Sequence, residues 1–387
     1  MKSFLLAVAL ISLAFRFPTT GWSQEVSGFV TRSGSQLMLN GQPFRFSGAN
    51  LDNIALGSDN YDFGKDEYYL SDFAVDDAFE TLQKMGGKLA RVYSAGTVGS
   101  PLAIEPALGH FNEKALTRLD YVIKSAGDHG IRVELVLVDS HHYYGGGEDD
   151  YVGWRKGSSF YEEPVVSDFK EYIATLVNRV NSYTHVAYKD DPVIFGWETT
   201  NEDRSSPPKW DNTICSYIKK LDPHHLVING NDCANQDQLA EPDADIYVKH
   251  YYKHWNQLWS SSQDADRITK ANKVFVVEEY GWDRTDFTVA ELQDSLRAVE
   301  NNPKVSGDMF WALRGHQSPG SYLPVPGEGG EWWALYYGGL DTSVNQASDM
   351  HQRALILQAH GHKMSGDAFS SVQDIVDRSD GTTQQSN

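Results

Sequence analysis

A chain of 387 residues with 40% hydrophobic and 22% charged side chains has the composition of a folded protein with a sizeable core, which excludes the fibrous and disordered classes. Its net charge of -20 excludes a phosphate backbone or an anionic lipid surface as partner, because both need clustered Lys and Arg. A neutral partner is expected, and the 10 Trp and 20 Tyr, several of them in Gly-rich loop contexts, offer flat faces on which sugar rings stack.

Residues 1–23 read as an export signal: Lys2, the apolar run Phe4 to Phe15, then the small-x-small site Gly21-Trp22-Ser23. The mature chain is therefore expected outside the cell. No later segment offers the roughly 20 continuous apolar residues of a spanning helix. Next, Phe29–Leu39 with the turn Asn40-Gly41 predicts a β-hairpin. Eight short apolar runs follow, at Phe44–Ala49, Lys88–Tyr93, Arg132–Val138, Val193–Trp197, Leu226–Asn229, Ile246–His250, Val274–Glu279 and Asp308–Leu313. Between them lie stretches with helical spacing: Phe73–Met85, Glu113–Ala126, Val166–Asn181, Trp210–Leu221, a weak one within Gln257–Lys270, Ala290–Glu300 and Met350–Lys363.

Strand and helix alternating eight times predict an α/β fold, a (β/α)8 TIM barrel, with residues 24–369 as a single catalytic domain and the N-terminal β-hairpin closing the bottom. The active site belongs at the opposite rim, where the strands end. A Gly/Pro-rich connection, Gly315–Gly330, leads there into Trp332 and Trp333. Residues 370–387 are rich in Ser, Asp, Gln and Thr and are expected to be disordered. The two cysteines, Cys215 early in a helix and Cys233 after a strand, suggest one disulfide in an oxidising compartment.

The fourth run starts apolar and ends Trp197-Glu198-Thr199-Thr200-Asn201-Glu202. The seventh ends Val277-Glu278-Glu279-Tyr280-Gly281. Two carboxylates at the C-terminal ends of two barrel strands are what hydrolysis of a glycosidic bond requires, one to protonate the leaving oxygen and one to attack carbon. Glu278 is expected on the side opposite Glu279 by strand alternation, and Glu198 is read as a structural ion-pair partner. Adjacent His141-His142 and the acidic Glu148-Asp149-Asp150 show no repeated ligand spacing, so no metal and no cofactor is expected.

Asn before Glu202 and an aromatic-Gly pair after Glu279 resemble glycoside hydrolase family 5 of clan A. Val186 to Glu198 is similar to the corresponding stretch of that family's endo-β-1,4-mannanases. The resemblance extends over residues 27–363: His250-Tyr251-Tyr252 followed by Trp255, Phe310-Trp311, Arg91, and His129 in Asp128-His129-Gly130 fall on family motifs. It implies a retaining hydrolase acting on mannan or a related β-glycan polysaccharide, as a monomer with no nucleic-acid or membrane partner. It implies Glu202 as acid/base and Glu279 as nucleophile, supported by Arg91, Asn201, His250, Tyr252, Trp311 and His129. Tyr144, Trp282, Trp332 and Trp333 are placed at outer subsites. Departures bear on specificity: Asn201-Glu202-Asp203-Arg204 lacks the family's proline after the acid/base, and Ser140 to Gly147 keeps only a Tyr-Gly-Gly element. Another family 5 β-glycanase, an exo-β-glycosidase and a catalytically silent carbohydrate-binding barrel stand as alternatives.

Overall fold

The computed structural model describes residues 26–58, 67–93, 99–141, 146–232, 234–283, 286–318, 321–322, 335–336 and 350–367. Eight parallel strands close into a barrel: β1 (Phe46–Asn50), β2 (Leu89–Tyr93), β3 (Arg132–Val136), β4 (Ile194–Glu198), β5 (Leu226–Asn229), β6 (Ile246–Tyr251), β7 (Val274–Tyr280) and β8 (Val305–Phe310). Every described helix after a strand packs outside: α1 (Asp72–Lys84), α2 (Glu113–Asp128), α3 (Val165–Val177), α4 (Pro208–Leu221), the short α5 (Gln236–Leu239), α6 (Ser261–Lys270), α7 (Val289–Asn301) and α8 (Met350–Ser365). This is the expected (β/α)8 barrel. Among the described residues no helix is long and apolar enough to cross a membrane.

Helix starts follow capping chemistry. Ser71 accepts from the Ala74 amide before α1, and Thr288 with Glu291 forms a reciprocal capping box before α7. The weakly patterned sixth segment does form a helix; only Ser261, Ala265 and Ile268 are buried, which is why its periodicity is faint. A seven-residue helix at Glu148–Trp154 was not expected, being too short to show a period.

The barrel floor is filled by Phe46, Leu89, Phe195, Leu226, Ile246, Val274 and Met309, and the N-terminal segment packs Val30 and Leu37 against them. That segment closes the bottom as three short antiparallel strands, with Asn40 and Gly41 at positive φ in the second turn. The eighth strand begins three residues earlier than the expected Asp308. Ser306 and Gly307 near its start carry little strand propensity, and Gly307 is there because a Cβ would lie 2.3 Å from the Phe46 ring.

Cys215 is a fully buried free thiol inside α4, and Cys233, the partner expected for it, lies outside the described residues. A small, apolar thiol packs in a helix-to-barrel seam as any aliphatic side chain does.

Candidate active site

The rim ends of β2, β4, β6 and β7 bring Arg91, Asn201, Glu202, His250, Tyr252 and Glu279 together. Arg91 is fully buried and central. Its Nε and Nη2 donate to the two oxygens of Glu198 at 2.7 Å each, Nη1 donates to Glu279 Oε1 at 2.5 Å, and Nη2 also donates to Asn201 Oδ1 at 2.8 Å. Glu198 is thus an ion-pair partner, as its sequence position suggested. Asn50 and the Tyr93 hydroxyl accept from the same guanidinium at 3.1 and 3.2 Å. Burial lowers the guanidinium's pKa, but Glu198 and Glu278 raise it further, so the charge is secure.

Glu279 receives a second donor, the Tyr252 hydroxyl, at 2.6 Å. Glu202 stands across from it with backbone φ of 51°, a left-handed conformation that costs a non-glycine residue on the order of 1 kcal/mol. His250 Nδ1 lies 2.9 Å from Glu202 Oε1, and His141 Nε2 lies 3.1 Å from its Oε2. One oxygen of Glu202, one of Glu279 and one His250 ring nitrogen all fall within 4.8 Å of one another. Burial pushes the Glu202 carboxyl up, and the bonds from His141 and His250 more than reverse this, leaving it well below the usual carboxylate range. Burial also pushes Glu279 up; His250 and Arg91 oppose it without cancelling it. His250 is pulled down by burial and raised well above its ordinary value by Glu279 and its two carboxylate neighbours.

Asn201 is locked between Arg91 and Asp139, donating to Asp139 Oδ1 at 2.8 Å. Trp311 packs edge-on to Tyr93 at a centroid distance of 6.2 Å and forms, with Tyr93, Val136, Tyr252 and Ala312, an apolar patch beside the carboxylates. Trp255, not among the site residues expected from the sequence, is half exposed and 5.1 Å from the Tyr252 ring. Its place after the His-x-Tyr motif was the signal. His141 was likewise missed as a Glu202 partner, since a loop histidine gives no directional cue.

Three expectations are corrected. Glu278 does not face away from Glu279: pairing with β6 skips a residue between Lys249 and His250, and this bulge turns both Glu278 and Glu279 into the barrel. His129 is not near the rim. It ends α2 at the bottom face, its Nδ1 2.8 Å from the Ser125 carbonyl and its ring stacked on Phe79. Trp282 is no outer subsite, because its indole is completely buried in the helix layer with Phe275 and Tyr280. Tyr144, Trp332 and Trp333 lie outside the described residues.

Beside Glu202, Asp203 holds the position of the family's usual proline, and its neighbour is Glu148. The Tyr161 hydroxyl reaches both carboxyls, at 2.9 and 3.3 Å, while Glu148 Oε1 and Asp203 Oδ2 are buried without a hydrogen-bond donor. Burial first, and Asp203 second, push Glu148 from its ordinary 4.5 up to about 9. A carboxyl protonated in the folded state but ionised when unfolded favours folding below pH 4.5, and that advantage is lost as pH rises towards 9. Glu148→Gln, which never ionises, should therefore flatten the fall of melting temperature between pH 5 and pH 9 in calorimetry. An unchanged slope would show that Glu148 is ionised in the folded protein.

Metal-binding geometry exists at two places among the described residues: Glu202 with His250 and Glu279, and Glu134 with Glu198 and Glu278. Arg91 reaches into both groups and already supplies a positive charge.

Known proteins agree with this architecture. Residues 155–280 match the model of a family described as glycoside hydrolase (GH) family 5, beta-mannosidase-like. A putative mannan endo-1,4-beta-mannosidase 4 of Arabidopsis thaliana is 32% identical over 234 residues, covering 55% of this chain and 54% of the relative. A probable mannan endo-1,4-beta-mannosidase A of Aspergillus flavus is 28% identical over 366 residues, covering 83% and 87%. The first relatives are thus spanned for about half of their own length. The solved endo-1,4-beta-mannanase of Rhizomucor miehei superposes with a TM-score of 0.70 at 25% identity, covering 88% of this chain and all of that one. Over residues 155–280, the stretch that carries Glu202, His250 and Glu279, the chain is thus similar to glycoside hydrolase family 5, on its beta-mannosidase-like side.

Proposed function

We propose that the protein is a secreted, monomeric endo-β-1,4-mannanase that hydrolyses mannan or glucomannan with retention of configuration, through a covalent glycosyl-enzyme. The observation that carries this reading is the closeness of two rim carboxylates. Oxygens of Glu202 and Glu279 fall within 4.8 Å, which suits direct attack by one of them and supports retention over the inverting arrangement, whose carboxyls stand roughly 6.5–9.5 Å apart.

Glu279, held by Arg91 and Tyr252, is the nucleophile, since two donors aim its oxygens and favour the ionised form. Glu202 is the acid/base. In this reading the shared proton rests on His250 in the substrate-free site, where it depresses Glu202. Two carboxyls and an imidazole this close titrate as one unit. Moving the proton from Nδ1 to Oε1 across 2.9 Å leaves a neutral histidine and a Glu202 that can protonate the leaving oxygen, with no uptake from solvent. Once Glu279 is esterified its charge is gone, and Glu202 can take a proton from water. Asn201, fixed from both sides, is set to bond the sugar 2-hydroxyl. Trp311 and Trp255 offer stacking faces, and the mannan-acting names of the relatives support β-mannan over other β-glycans.

Incubation with galactomannan, glucomannan and carboxymethyl cellulose tests this directly. Internal cuts in both mannans are expected, with the β-anomer appearing first by proton NMR. Glu202→Ala should lower polysaccharide turnover about 10²- to 10⁴-fold while sparing an aryl mannoside whose leaving group needs no acid. Early α-anomer, or cleavage of the cellulose derivative alone, would defeat the proposal.

A further inference from the structure

Beneath the two rim carboxylates lies a second acidic layer that the catalytic roles above leave unexplained. Glu134 on β3, Glu198 on β4 and Glu278 on β7 are buried, with one oxygen of each inside a 4.8 Å cluster. Their charges are not balanced. With Glu202 and Glu279 above them, five carboxyl groups face Arg91, Arg204 at 3.5 Å from Glu202 and, when protonated, His250 and His141. Glu198 is satisfied by the two-pronged bond from Arg91. Glu134 and Glu278 are not: Oε1 of each is buried with no hydrogen-bond donor among the heavy atoms. Two neighbouring buried acceptors, both lacking a donor, are each costly, and a single proton between them removes both costs.

Geometry decides who holds that proton. Glu278 Oε2 lies 2.9 Å from His250 Nε2 and 3.5 Å from Arg91 Nη2, so its negative charge is met from two sides. The cation facing Glu134 is the Arg91 Nε, at 3.9 Å. The proton therefore belongs to Glu134. Burial, reinforced by Glu278 and Glu198, moves the Glu134 carboxyl in the same direction, well above its ordinary value, while Arg91 and His250 overcome burial to keep Glu278 low.

We propose that Glu134 is a positioning residue: a neutral carboxylic acid that donates a hydrogen bond to Glu278 and, through Glu278, keeps a proton on His250 Nε2 so that Nδ1 is left to exchange its own proton with Glu202. This rests on the reading of Glu202 as acid/base. The charge on Glu278 matters in both directions. Left bare, it would stabilise a permanent imidazolium and hold Glu202 ionised; lost altogether, it would free the imidazole to turn or change tautomer. A hydrogen bond from Glu134 tempers the charge without abolishing it. The groups bearing on the pair are Arg91 and Tyr93 from β2, Glu198 from β4, His250 from β6, Glu279 from β7, and Glu202 above.

Three variants and two spectroscopic measurements test this. Glu134→Gln retains an N–H donor and should keep kcat, KM and both limbs of the pH profile within about twofold of the parent. Glu134→Leu removes the donor; kcat should fall at least about tenfold at unchanged KM, and the alkaline limb should move to higher pH by about one unit, because a bare Glu278 charge holds the proton on His250 more tightly. Glu278→Gln should lose activity similarly. The proposal is overturned if Glu278→Gln is tolerated while Glu134→Gln is not, if the two Glu134 variants fall together, or if Glu134→Leu is harmless. Infrared spectra of a Glu148→Gln/Glu202→Gln protein at pH 8 need neither turnover nor a Leu variant that folds. A protonated-carboxyl carbonyl band should be present and should lose a component on adding Glu134→Gln, even though Glu198, which burial pushes up to about 8, contributes to the remainder; nitrogen NMR of the His250 ring should show Nε2 protonated. No such band, or one unchanged by Glu134→Gln, overturns the proposal even if no glycoside proves to be hydrolysed, an outcome that would by itself defeat only the proposed function.

Discussion

Replacing Glu279 with Ala should lower turnover of β-mannan about 10⁴-fold or more, the scale seen when a covalent nucleophile is removed. Nothing beside it can substitute, because Glu278 is tied to His250 and sits below the rim. Azide or formate should restore hydrolysis of an activated aryl mannoside by entering the space the carboxylate vacates, giving a product of inverted anomeric configuration. Rescue appearing at Glu278→Ala in place of Glu279→Ala would mean that the deeper neighbour attacks the sugar.

The second large effect is expected at Arg91. Its guanidinium is wholly buried, binds Glu198 through both prongs, and also donates to Glu279, Asn201 and Asn50. Arg91→Met keeps the stem but strands these carboxylates in a low-dielectric interior. Breaking a buried ion pair by removing one partner costs about 3–5 kcal/mol, and here several carboxylates lose the same cation. Denaturant unfolding should show a loss of at least that size, with activity falling at temperatures where the variant is still folded because Glu279 loses its anchor. A variant as stable as the parent would show that the carboxylates take up protons and need no cation.

The barrel was legible because each strand is a short apolar run and each helix has an apolar stripe, periods that survive in a single sequence. Where the signal was weak, so was the reading: Gly307 and Ser306 concealed the start of β8, and the helix at Glu148–Trp154 has too few turns to announce itself. Glu202, Glu279, Arg91, Asn201, His250, Tyr252 and Trp311 do converge, since all sit at or just beyond the carboxyl ends of strands. His129 and Trp282 followed motif position alone, and sequence proximity to a motif says nothing about which face a helix end or a loop residue occupies. Glu134 carried a signal that went unused: a lone carboxyl inside the apolar run Arg132–Val138 must be neutralised by something. Parity counting failed at Glu278 because an unpaired residue leaves no mark in composition or alternation.

That unpaired residue has a geometric yield. Along a regular strand, side chains on one wall recur every second residue, about 6.6 Å apart, too far for a single imidazole to touch two of them. By compressing the interval to one residue, β7 mounts two acids as adjacent rungs, so that His250 reaches Glu278 at 2.9 Å through one nitrogen and lies 3.4 Å from Glu279 through the other. The unpaired residue is Glu278 itself, so the bulge couples the chemistry of the rim to the buried carboxyls below it, and removing that one residue would uncouple them.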